Sequence, residues 1–170
     1  VNEPGSLLVT IDDHETRIEV TGGATIPVPV GPRTLVEGPL DDGDPPLPSS
    51  LTNALGLVAD HLDDVLIEAP SIAAAPGVTV AGFHAAVVAR VELGHVDVPD
   101  DYVLTRAAAD EVFRTVALEP AAERRHNPGL PESEVESIVG TCCVILGLMR
   151  RLDLPDVSVR AASTPDQEFP

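Results

Sequence analysis

Leu7-Leu8-Val9-Thr10-Ile11-Asp12-Asp13-His14-Glu15-Thr16-Arg17-Ile18-Glu19-Val20 is two alternating runs around four consecutive polar residues. Leu7, Val9 and Ile11, then Ile18 and Val20, recur at period two, the spacing of strands with one buried face. Asp12 to Glu15 therefore reads as a tight turn between two strands. Gly22-Gly23 supplies a second turn into Ala24 to Val30, so the chain opens with a three-strand meander.

Beyond the meander, Gly38 to Ser50 is a proline-rich loop carrying a run of acid. Ser49 or Ser50 is placed to cap a helix whose apolar residues Leu51, Leu55, Val58, Leu62, Val65 and Leu66 follow helical spacing, and Pro70 stops it. Asp60, Asp63 and Asp64 fall on its solvated side. Pro76-Gly77 introduces a short buried strand at Val78 to Ala81, and Gly82 ends it. Ala85 to Leu93 is apolar enough for a helix. Thr105 caps a helix over Arg106 to Leu118 with Ala108, Val112, Phe113 and Val116 inward, and Ala121 to His126 adds a short turn of helix. Pro131 suits the first position of a central helix whose dipole is met by Glu132, Glu134 and Glu136 at one end and by Arg150 and Arg151 at the other. Its wide apolar face is Val135, Ile138, Val139, Cys142, Ile145, Leu146 and Met149, with Gly140 and Gly147 permitting close packing. Asp156 to Ala162 alternates as a last strand, and residues 163–170 read as a flexible tail. The order predicts an α/β layer fold, a mixed sheet of about five strands packed with helices.

A chain of 170 residues is a prior for one domain able to bury about two-thirds of its unfolded surface. The formal net charge of −18, with a pI near 4.3, opposes binding to nucleic acid and to anionic membrane surfaces. All ten basic side chains are arginine. Three Phe, one Tyr and no Trp leave little aromatic surface for stacking on bases. Val1 to Ser6 has neither a basic segment nor an apolar run, and the longest apolar stretch, Ile138 to Met149, is too short to span a bilayer. The expectation is a cytoplasmic protein. Cys142 and Cys143 are adjacent within that stretch and read as core residues.

Several short segments resemble, in order and spacing, the exopolyphosphatase and guanosine pentaphosphate phosphohydrolase (Ppx/GppA) family. They are Pro29 to Leu35, Val80-Ala81-Gly82, Pro128-Gly129-Leu130, Glu136-Ser137-Ile138-Val139, Met149-Arg150-Arg151-Leu152 and Val157-Ser158-Val159. The resemblance implies a ribonuclease-H-like lobe of the actin and sugar-kinase type, and specifically the second of the two lobes that clasp a phosphorylated ligand in that family. The first lobe, which there supplies a phosphate loop and the catalytic glutamate, has no counterpart in this sequence.

The same resemblance places Asp12, Asp13, His14 and Glu15 where the family writes the glycines and serine of a phosphate loop, Asp-Ile-Gly-Gly-Gly-Ser-Thr-Glu. Phosphate loops use glycine so that the backbone approaches the anion and aims several N–H groups at it. Two unit charges about 4 Å apart repel by about 4 kcal/mol at an effective dielectric near 20, so a single carboxylate there opposes phosphate, and three are present. Gly82, Phe83 and His84, with Ala85 and Ala86, replace a second cradle, Gly-Thr-x-Thr-Thr, and its hydroxyl donors are gone. Glu134 stands where the family has arginine.

Oxygen and imidazole groups on Asp12 to Glu15, joined by His84 across the cleft, would suit a divalent metal, but four consecutive turn residues cannot all face one ion. No catalytic residue and no metal ligand is assigned. Arg124-Arg125-His126 reads as a solvated basic helix end, His61 and His95 as surface residues. Phe83 and Val87 are expected to be exposed at a former interface between lobes. The functional expectation is a noncatalytic lobe that binds a protein or forms a homodimer. The alternative is half of a split polyphosphate or guanosine pentaphosphate phosphohydrolase that pairs with a separately encoded first lobe; a third possibility is a fragment whose first lobe belongs to the same polypeptide. A divalent cation belongs only to the split-enzyme alternative.

Overall fold

The computed structural model describes residues 5–161; Ala162 and the expected tail lie outside them. Strands β1 (Leu7–Ile11), β2 (Thr16–Val20) and β3 (Thr25–Val28) form the antiparallel meander, with Leu7 opposite Val20 and Thr16 opposite Val28. Helices α1 (Pro32–Val36) and α2 (Pro48–Glu68), with a short 3-10 turn, lead to β4 (Val78–Ala81). Helix α3 (Phe83–Leu93) is followed by β5 (Val103–Thr105), α4 (Arg106–Leu118), α5 (Ala121–Arg124), a 3-10 turn at Glu132–Glu134, α6 (Ile138–Arg151) and β6 (Asp156–Arg160). The sheet order is β3-β2-β1-β4-β6-β5, with β1, β4 and β6 mutually parallel.

The crossovers from β1 to β4 and from β4 to β6 step in the same direction along the sheet. Right-handed connections then put their helices on one face. Burial follows: Val9, Val80 and Val159 are buried under the helices, while Leu8, Thr10 and Thr79 on the opposite face are partly exposed and Ser158 is exposed. At one edge, β3 carries Pro27; at the other, β5 is three residues long.

Several boundaries differ from the sequence reading. The sheet has six strands, because the short β5 pairs antiparallel with β6, a run too brief to show periodicity. Pro48 occupies the start of α2, where its fixed φ is pre-organised for helix. The helix therefore begins before Ser49 and Ser50, neither caps it, and Ser50 is buried inside its first turn. Thr105 does cap α4, accepting from the Ala108 N–H at 3.1 Å. The central helix begins at Ile138 rather than Pro131.

Helix α6 runs through the middle of the helical layer, and α1, α2, α3 and α4 all pack on it. Every residue from Ile138 to Met149 is buried. Two of its contacts leave no room for a Cβ: Gly140 lies against the Pro32 backbone, where an added Cβ would stand 2.5 Å from the carbonyl oxygen, and Gly147 lies against the Val58 side chain. The vicinal thiols are free, and burial pushes the pKa of both upward, that of Cys143 to about 12.

Gly140→Ala is expected to destabilise the fold by about 1–3 kcal/mol, because the Pro32 backbone must move to admit the methyl group. Gly56→Ala, at an exposed position of α2 with open space around it, is expected to stabilise by about 0.5–1 kcal/mol. Urea unfolding of the two variants distinguishes a glycine needed for packing from one that only weakens its helix.

Candidate functional site

At the ends of β1 and β4, where the parallel strands hand over to the turn and to α3, the fold opens a cleft of about 470 Å³. It is lined by Ile11, Asp12, Asp13, His14, Glu15, Phe83, His84 and Glu134. The two segments singled out in the sequence, 70 residues apart, thus form one site. Gly82 joins them from below: its φ of +104° turns the chain out of β4, and an added Cβ would lie 3.0 Å from the Ile11 carbonyl oxygen.

The turn is held rigidly. Asp12 N–H donates to the Glu15 carbonyl at 2.9 Å. The beginning of α1 then grips the turn from outside: Arg33 N–H donates to the Asp13 carbonyl at 2.8 Å and Thr34 Oγ1 to the His14 carbonyl at 3.2 Å. Gly31 is needed for this approach, since a Cβ there would come within 2.5 Å of the carbonyl oxygens of both Asp12 and Asp13. The carboxylates fan out. Asp12 accepts from Arg17 Nη2 at 2.6 Å, with Glu15 3.9 Å from Arg17 Nε, and His14 meets Glu37 at 3.0 Å. These pairs are between 46% and 60% exposed and are worth little individually.

Asp13 turns the other way, and its partner is His84. Imidazole Nε2 lies 2.6 Å from Asp13 Oδ1, and Nδ1 lies 2.6 Å from Glu134 Oε2. Glu134 also accepts from Ser137 Oγ at 3.1 Å, and both His84 and Glu134 are buried. Burial by itself lowers the imidazole pKa, but hydrogen bonding to and charge on Glu134, then on Asp13, outweigh it and hold the ring above its ordinary value of 6.5. As an imidazolium, His84 donates from both nitrogens. This explains the late start of α6: Glu134 is drawn inward to His84 and Ser137, so its segment forms a 3-10 turn instead of the helix's exposed first turn.

Sequence reading did not assign Glu134 to the cleft: there it served a helix dipole and replaced a family arginine, whereas the fold brings it onto His84. The available signal was a histidine at the head of an apolar helix, which needs a buried acidic partner. Val87 is buried, contrary to expectation, because α3 is enclosed on nearly every side. Phe83 is 44% exposed, as expected, and the Arg90 guanidinium lies 5.6 Å from its ring centroid. The basic segment Arg124-Arg125-His126 is not simply a solvated helix end. Arg124 is buried, donating to the carbonyls of Glu119 and Val135 and to Asp44 Oδ1 at 3.1 Å, and Asp44 also accepts from the Ala121 N–H. Among the described residues, no three His, Cys, Asp or Glu side chains are grouped to hold a metal ion. No helix among them is long and apolar enough to cross a membrane.

Two outcomes follow from this geometry. A group whose pKa is raised by folding contributes stability that is fully present below its unfolded value, near 6.5, and is lost as pH rises through its folded value. The wild-type chain is therefore expected to lose stability across that alkaline interval, and His84→Gln to flatten this part of the profile, in urea midpoints measured at stepped pH. Arg124→Met is expected to destabilise by about 1–3 kcal/mol, because it strands the buried Val135 carbonyl and the partly buried Glu119 carbonyl. Thermal and urea unfolding of that variant against wild type read the loss.

No protein-family model and no curated protein matches the sequence. Its fold is nevertheless shared with solved structures. The Aquifex aeolicus Ppx/GppA enzyme superposes with a TM-score of 0.79 at 16% identity, covering 92% of this chain and 53% of that one. An exopolyphosphatase-like protein gives 0.78 at 16% identity over 94% of this chain and 56% of its own, and an exopolyphosphatase from Cytophaga hutchinsonii gives 0.71 at 13% identity over 92% and 53%. This chain therefore has the fold of a single lobe of the Ppx/GppA exopolyphosphatases, and it spans about half the length of the structures it matches.

Proposed function

We propose that this lobe is noncatalytic on its own and acts as a protein-binding module, with a second copy of itself as one candidate partner. The observation that carries the reading is the occupancy of the cleft by its own charges. Where the Ppx/GppA resemblance expects phosphate to lie against backbone N–H groups, Asp12, Asp13 and Glu15 present carboxylates, and His84 is committed to Asp13 and Glu134. An added polyphosphate would have to displace or neutralise them. Phe83 supports the protein-binding half of the reading, since it is an exposed aromatic at the cleft rim in a chain with only four aromatic residues.

A second reading is favoured by one observation, that the chain spans about half of its structural neighbours. In this reading a separate first lobe completes the cleft, supplies the group that activates water and brings a divalent cation, and the assembly hydrolyses a phosphoric anhydride. Purification of the chain from its native cells separates the two: a stoichiometric first-lobe partner that confers phosphate release supports the split enzyme and removes the first reading.

For the isolated chain, no release of phosphate from polyphosphate or guanosine pentaphosphate is expected with magnesium present, and no heat of binding for tripolyphosphate. A variant with Asp12→Gly, Asp13→Gly, His14→Gly and Glu15→Ser is expected to bind tripolyphosphate at least about tenfold more tightly, since removing even part of one repulsion of about 4 kcal/mol exceeds the roughly 1.4 kcal/mol that a decade requires. Magnesium-dependent turnover by the wild type, lost on Glu15→Gln, would overturn the proposal.

A further inference from the structure

We propose that Asp13, His84 and Glu134 form a proton-controlled latch that ties the β1–β2 turn to the start of α3 and lets go of the turn when His84 loses its proton. The inference rests on the unequal surroundings of the two carboxylates and is independent of whether the lobe has a partner. The Glu134 side chain is 6% exposed and is further held by Ser137, whereas the Asp13 side chain is 62% exposed.

An imidazolium satisfies both acids, but a neutral imidazole carries one N–H. That proton stays on Nδ1, because the 6%-exposed Glu134 side chain would otherwise keep only the Ser137 hydroxyl, and an under-satisfied buried carboxylate is the costlier outcome. Nε2 then presents a lone pair to the Asp13 oxygen 2.6 Å away, a repulsive contact. Asp13 relieves it by rotating into solvent, and the cleft loses its only cross-link among the described side chains between turn and α3. The backbone of the hairpin does not follow, since Arg33 N–H and Thr34 Oγ1 still hold the Asp13 and His14 carbonyls.

The charged and titratable groups around His84 set the direction of the switch. From the turn come Asp12, Asp13, His14 and Glu15, with Arg17 on β2 neutralising part of this charge through Asp12. Glu134 comes from the segment before α6, whose neighbour Glu136 is turned away to Arg33 at 3.7 Å. Helix α3 contributes the uncharged Phe83 ring, with the Arg90 guanidinium on it. The surroundings are acidic overall and favour the imidazolium, which places release at a higher pH than for an ordinary histidine. His14 is the competing titratable group, but it is exposed and its acid is Glu37.

The test is an NMR titration of the full chain from about pH 5.5 to about pH 9, following the histidine ring protons and the amides of residues 12–17. The turn amides are expected to shift with the midpoint of His84. Asp13→Asn is expected to lower the proton affinity of His84 about two- to fivefold, the range for a half-exposed charge pair, and to abolish the response of the turn. His14→Gln is expected to change neither. Turn amides that follow the His14 midpoint, turn amides that stay fixed while His84 titrates, or a His84 affinity unchanged in Asp13→Asn would each overturn the latch. Because Asp13 is largely exposed, Asp13→Asn tests it without depending on whether His84→Gln folds.

Discussion

A helix with no solvent-facing side dictates most of this lobe. Ile138 to Met149 must satisfy neighbours in every direction, so α6 cannot be amphipathic in the usual sense and is apolar all round. Its single hydroxyl, Thr141, bonds back to the Ser137 carbonyl, and its glycines sit where α1 and α2 come closest. Only at Arg150 and Arg151 does the helix regain charge, and these reach Asp110 on α4 and Asp63 on α2. Fixing α6 also fixes what precedes it. The short segment carrying Glu134 has nowhere to go except against α3, and a buried carboxylate there requires a cation. His84, whose imidazolium form Glu134 and Asp13 favour, supplies it.

The cleft illustrates how one scaffold can be kept while its electrostatics are reversed. A strand-turn-strand unit, a second strand and the head of α3 converge on one place, an arrangement suited to binding an anion through backbone N–H groups. Here the anions are supplied by the chain itself. Asp13 and Glu134 approach the head of α3 through His84, so the negative charge favoured at a helix N-terminus is internal and covalently attached. Such a site is already neutralised and gains less from an external phosphate than an open loop of glycines would.

Much of this was legible from residue pattern. The meander, β4, α4 with its Thr105 cap and the apolar core of α6 each follow from periodicity or from a local capping rule, and these depend only on neighbours in sequence. The convergence of Asp12 to Glu15 with Gly82 to His84 was legible from the resemblance of the chain to Ppx/GppA lobes. What was not legible depended on long-range pairing. Glu134 and Asp44 look like ordinary surface acids until the fold brings them to His84 and Arg124, 50 and 80 residues away. Val87 was misjudged because exposure on α3 is set by the flanking α4 and α6, which no pattern within α3 reports. Strand β5 was missed because its strand character comes wholly from pairing with β6.

The ends of the sheet limit how this lobe can grow. A sheet edge normally offers a row of free N–H and C=O groups on which another chain can extend the ladder. Pro27 has no N–H to offer, and β3 is only four residues long, so a strand arriving at that edge finds an interrupted template. The opposite edge, β5, is shorter still. Ribbon-like polymerisation through backbone pairing is thereby discouraged at both ends, and contacts with other molecules are steered toward side chains on the faces and around the cleft.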